Sequence, residues 1–150
     1  MTGTNHAITG AIIGSVVASP ALALPLAFLS HFVLDALPHY GEVSKELNRR
    51  RFLVAIALDT LAVLALLLYL IVQRPSHWIV AAIGALLAMS PDIMWLPNFI
   101  RGVRKKAERS HNILMSWHDR IQREHVWGIF VEAAWLLAML PLLLHAASPS

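Results

Sequence analysis

At 150 residues the chain has room for about one domain. It is 57% hydrophobic and only 14% charged, with a mean hydropathy of +0.62. A soluble domain carries about a quarter charged residues, so the composition points to an all-helical integral membrane protein. The absence of cysteine excludes disulfides and thiolate metal sites. A metal must then be held by histidine, carboxylate, backbone or water, which suits zinc first, with manganese, magnesium or iron as alternatives.

Residues 5–18 read as a short apolar helix. At about 1.5 Å per residue it falls short of a ~30 Å hydrocarbon core. Gly10, Gly14 and Ala18 recur every fourth residue and give it a face that a second helix can approach closely. Ser19-Pro20 turns the chain into a second short helix, 21–37, so the two form a hairpin that either re-enters or spans a thin bilayer.

The end of that hairpin is the most informative stretch, Ser-His-Phe-Val-Leu-Asp-Ala-Leu-Pro-His-Tyr from Ser30 to Tyr40. His31 and Asp35 stand four apart and share one helix face. Pro38 ends the helix near Leu37, and His39 can then turn back toward the same spot. Ionisable groups at membrane depth are rare and usually mark a site. The stretch reads as one wall of a metal site at a membrane surface; the plain alternative is a polar cap in which His31 and Asp35 bond only to each other. Antiparallel geometry brings His6, at the start of the first helix, to the same end.

A polar loop follows at 41–51, then an apolar span at 52–72 with the single acid Asp59. The next helix, 77–93, runs into Ser90-Pro91-Asp92 and then Trp95-Leu96-Pro97, and the two prolines bracket Asp92 in irregular backbone suited to a cavity wall. Residues 98–123 read as a basic loop with His111 and His118. The last span, 124–145, carries Glu132.

Lys and Arg cluster at 45–51 and 101–123, a topology signal before a nucleic-acid one, and no nucleic acid is expected as a partner. Positive-inside bias places the N-terminus and both basic loops in the cytoplasm and the C-terminus outside, with five apolar helices in one bundle; the membrane expected is a bacterial or archaeal cytoplasmic membrane. His6, His31, Asp35 and Asp92 then gather near the cytoplasmic interface as candidate metal ligands. His118, His111 and His39 are candidate catalytic acids or bases. Asp59 and Glu132, about two turns deep, are candidate partners that orient ligand histidines, or additional ligands. His77 and His145 read as interfacial spectators on the opposite side, His125 as surface or interfacial, and Trp78, Trp95, Trp117 and Trp127 as interface anchors. Arg101, Arg104, Lys105, Lys106 and Arg109 read as topology determinants and anionic-lipid contacts.

His6 with Thr-Gly-Ala-Ile-Ile-Gly, the Ser-His-Phe-Val-Leu-Asp-Ala-Leu-Pro-His stretch and Ser90-Pro91-Asp92 together resemble the YdjM-like group of membrane-bound metal-dependent hydrolases. The resemblance covers the first forty residues well and the rest loosely. It implies a small helical membrane protein and implicates His6, His31, Asp35 and Asp92 as the metal site. Longer members of the group place the Pro-Asp motif before Ser-His-x-x-x-Asp; here it follows.

Three functions suit these residues. The first is metal-dependent hydrolysis of a phosphoester or lipid-linked anionic substrate, with membrane lipid as partner and room for a homo-oligomer. The second is a transporter, channel or scaffold subunit with an ion-binding polar site. The third, haem binding, ranks last because axial histidines belong deep on facing helices, where this chain carries Asp59 and Glu132.

Overall fold

The computed structural model describes residues 1–41, 49–95 and 113–147. Its elements are α1 (Gly3–Val16), α2 (Pro20–Asp35), β1 (Pro38–Tyr40), α3 (Arg49–Gln73), α4 (Trp78–Met89), a 3-10 turn (Ser90–Trp95), α5 (Ile113–Ile121), β2 (Arg123–His125) and α6 (Gly128–Ala146). The protein is mostly helical. Among the described residues, two helices are long and apolar enough to cross a membrane, Leu53–Gln73 within α3 and all of α6. α1, α2 and α4 are shorter, at 14, 16 and 12 residues.

The boundaries differ from the sequence reading for local reasons. α1 starts before residue 5 because the Thr2 carbonyl accepts from the amides of Asn5 and His6. α2 begins on Pro20, whose missing N–H costs nothing in the first turn. The expected helix at 77–93 divides. α4 ends at Met89, and Pro91, which cannot donate, leaves a 3-10 turn around Asp92. The expected basic loop 98–123 is not all loop, since Ile113–Ile121 is helical. The expected start of the last helix at 124 is taken by β2, so α6 begins at Gly128. His111 and the basic run from Arg101 to Arg109 lie outside the described residues.

β1 and β2 pair in parallel, with Pro38 opposite Arg123, His39 opposite Glu124 and Tyr40 opposite His125. Each strand follows a helix by a two- or one-residue link, α2 through Ala36-Leu37 and α5 through Gln122. The ladder therefore draws the C-terminal ends of α2 and α5 together.

The centre is built from small residues. A Cβ on Gly10 would run into the Gly84 carbonyl, a Cβ on Gly84 would meet the Gly10 carbonyl, and one on Gly14 would meet the Val80 carbonyl. α1 and α4 thus pack backbone against backbone, with Ala7, Ala11, Ala81 and Ala85 fully buried around the contact. Ala18, expected to extend this face, lies beyond the end of α1 and is exposed.

The outward surface is strongly apolar. On α2, Leu22, Leu26, Leu29 and Val33 face out while Ala23, Ala27, His31 and Asp35 face in. This polarity is the reverse of a helix on a water-soluble core.

Gly84→Val will force the α1–α4 backbones apart and cost about 3 kcal/mol, the upper range for overpacking. Thermal unfolding in detergent should show a large drop for Gly84→Val and little change for Leu86→Ile on the outward face of α4.

Candidate metal centre

His31 and Asp35 occupy successive turns at the end of α2, as their spacing requires. The His31 ring is fixed from behind. Its Nδ1 lies 2.8 Å from the Ala88 carbonyl, which can only accept, so Nδ1 carries the hydrogen. Ala88 is in the last turn of α4, where carbonyls lack partners within the helix. One bond therefore caps α4 and turns Nε2 of His31 into the cluster.

Around that Nε2 stand His118 Nε2 at 2.8 Å, Asp35 Oδ2 at 3.3 Å and Asp92 Oδ1 at 3.7 Å. His118 Nε2 is itself 3.0 Å from Asp35 Oδ2. Among the described residues, His31, Asp35, Asp92 and His118 form a group whose donor atoms all lie within 4.8 Å of one another. His31, Asp35 and His118 are fully buried, whereas the Asp92 side chain is 39% exposed. Among the described residues the cluster is thus open at Asp92. Phe32 walls it laterally, edge-on to both His31 and His118, and Trp117 packs on Phe32 with ring centroids 4.9 Å apart.

The donor set fits a cation. Ligand atoms bound to one ion at about 2.0–2.2 Å stand roughly 3–3.5 Å apart, close to the spacings seen here. Two imidazole nitrogens and two carboxylates converge, a set that could hold a metal ion. The Ala88 carbonyl plays the part of the outer partner that fixes a ligand tautomer.

His6 joins the cluster from α1. Its ring stacks on His31 with centroids 4.1 Å apart, and its Nε2 is 3.2 Å from Asp35 Oδ1. The Met1 amino nitrogen lies 2.6 Å from the same oxygen.

The other sequence candidates take different places. His118, expected as an acid or base, stands in the four-residue group that could hold a metal ion. His39, expected to turn back to the site, is held in β1 with its Nδ1 2.9 Å from the Leu37 carbonyl and is not in the four-residue group. Asp59 and Glu132, expected to orient histidines or bind metal, instead hold the N-terminus of α1. Asp59 accepts from the amides of Gly3 and Thr4, both at 2.8 Å, and from the Thr4 hydroxyl at 2.5 Å. Glu132 accepts from the Thr2 amide at 3.1 Å and from the Tyr40 amide at 3.0 Å. These carboxylates neutralise the positive end of α1 and act on His6 through the helix that carries it. His77 and His145 are exposed, and His125 stacks on Trp127.

Gln122, 3.4 Å from Asp35 Oδ2, was not anticipated. Its signal was its place three residues before His125 at the end of the polar segment, which alone does not single it out.

A search of family models, of curated proteins and of solved structures found no match.

Asp59→Ala removes three acceptor contacts from the start of α1 and will cost about 1–3 kcal/mol. Asp59→Asn should recover part of that loss. Both are read as unfolding midpoints in detergent, and equal stability in all three proteins would refute the capping role.

Proposed function

We propose that this protein is a membrane-embedded, metal-dependent hydrolase acting on a phosphoester in or near the lipid headgroup layer. The observation that carries the reading is the convergence of His31, Asp35, Asp92 and His118 in a buried cluster with a single half-exposed member. Membrane embedding is supported by the reversed polarity of α2 and by the outward leucines of α3, Leu58, Leu61, Leu64 and Leu68. The bundle would then comprise α3 and α6 as full spans, with α1, α2 and α4 as shorter helices packed around the site. The resemblance to the YdjM-like hydrolases points the same way.

In this reading a divalent ion, zinc first, is held by His31, Asp35, Asp92 and His118. Once bound, such an ion polarises a phosphoryl oxygen and brings the pKa of water toward neutrality. The chain's own groups set the geometry. The Ala88 carbonyl holds His31 in the ligating tautomer. Asp35, reached by two histidines through Oδ2, carries the negative charge that retains the ion. Asp92 lies on the open side and is the group that an incoming ester or water meets first. The buried Phe32 ring, edge-on to His31 and His118, excludes bulk water on its side and strengthens the charge interactions inside.

The test uses the purified full chain in vesicles carrying a lipid phosphomonoester or phosphodiester. The expected result is release of phosphate or headgroup that stops on chelation and returns with zinc or manganese. His31→Ala should lower the rate more than about 100-fold, beyond the range for losing an outer partner of a ligand. Cation flux across the vesicles without hydrolysis would overturn the proposal in favour of an ion-conducting protein.

A further inference from the structure

The two oxygens of Asp35 face different neighbours. Oδ2 faces His31, His118 and Gln122. Oδ1 faces His6 and the Met1 amino nitrogen. We infer that Asp35 is a bridging carboxylate, and that His6 and Asp35 Oδ1 form a second cation position beside the His31–Asp35–Asp92–His118 centre. The inference rests on the reading of that centre as a metal site.

Three observations support it. His6 is fully buried, yet neither of its ring nitrogens has a hydrogen-bond partner among the described residues. Its Nε2 comes within 3.2 Å of Oδ1 but without hydrogen-bond alignment. A buried polar group left in that state costs free energy, whereas two donors at this separation suit one shared ion.

The second observation is the stack. The His6 and His31 rings are 4.1 Å apart and inclined by only 21°. Their Nε2 atoms therefore reach opposite oxygens of one carboxylate side by side. Paired catalytic ions stand about 3.5–4 Å apart, and here the two oxygens of one carboxylate each face a separate imidazole.

The third concerns α1. Asp35 Oδ1 is not needed to cap this helix, because Asp59 and Glu132 already accept from the amides of Thr2, Gly3 and Thr4. Oδ1 nonetheless draws a positive group, the Met1 amino nitrogen, and a bound cation would take its place. Histidine and a single carboxylate oxygen leave the remaining positions of such an ion to water and to the substrate's phosphoryl oxygens. The ligand class is thus a divalent cation of the manganese, magnesium or zinc type, and the paired ions favour a phosphoester over a carboxylic ester.

The test loads the detergent-purified full chain with Mn²⁺ and reads both metal content and electron paramagnetic resonance. Two ions per chain and an exchange-coupled spectrum are expected for the wild type. His6→Gln should retain one ion and give an uncoupled spectrum, with unchanged helical circular dichroism. One uncoupled ion in the wild type, kept by His6→Gln, would overturn the second position and leave the single centre standing. Failure of the wild type to bind Mn²⁺, or binding indifferent to Asp35→Asn, would overturn the centre itself. The wild-type spectrum decides between one ion and two even if the variant does not fold.

Discussion

A fully buried carboxylate in so apolar a chain must find compensating partners, and Asp35 gathers them from across the fold. His6 comes from α1, His31 from its own helix, His118 from α5 and Gln122 from the link to β2. An isolated buried charge is costly enough that removing its partners typically destabilises by about 3–5 kcal/mol. The cluster therefore ties together segments separated by more than eighty residues in sequence, and their arrangement depends on keeping that charge satisfied.

Two further constraints hold the partners in place. The Gly10–Gly84 contact lets α1 and α4 approach until His31 can cap α4 through Ala88 while His6 stacks on His31. The carboxylates of Asp59 and Glu132 then set the height of α1 relative to α3, α6 and β1. Polar groups inside and leucines outside give a bundle whose interior chemistry needs the precise packing that small residues permit.

Much of this is legible in local sequence. Spacing alone puts His31 and Asp35 on one face, and Gly10 and Gly14 mark a close-packing surface. Pro91 marks the break that sets Asp92 in a 3-10 turn. What escaped is long-range. α5 is nine residues long in a charged segment, where Met115 and His118, buried among the described residues, give too short a pattern to separate from loop. β1 and β2 are three residues each and exist only because they pair with one another. Asp59 and Glu132 look like site acids because each is a lone carboxylate in an apolar helix. Their partners are amides at the far end of the sequence, which no local pattern reveals. Helix count is a similar case, since the apolar runs yield, among the described residues, two helices long enough to cross a membrane and three shorter ones.

The central claim is that His31 and His118 ligate a metal together with Asp35 and Asp92. X-ray absorption at the zinc edge of the purified, zinc-loaded protein tests it most directly. The account predicts nitrogen and oxygen ligands at about 2.0–2.2 Å, with the outer-shell scattering of imidazole, reduced in His31→Ala and again in His118→Ala. Zinc that fails to bind, or a spectrum with imidazole scattering unchanged by both substitutions, would contradict it and leave the cluster as a structural polar core.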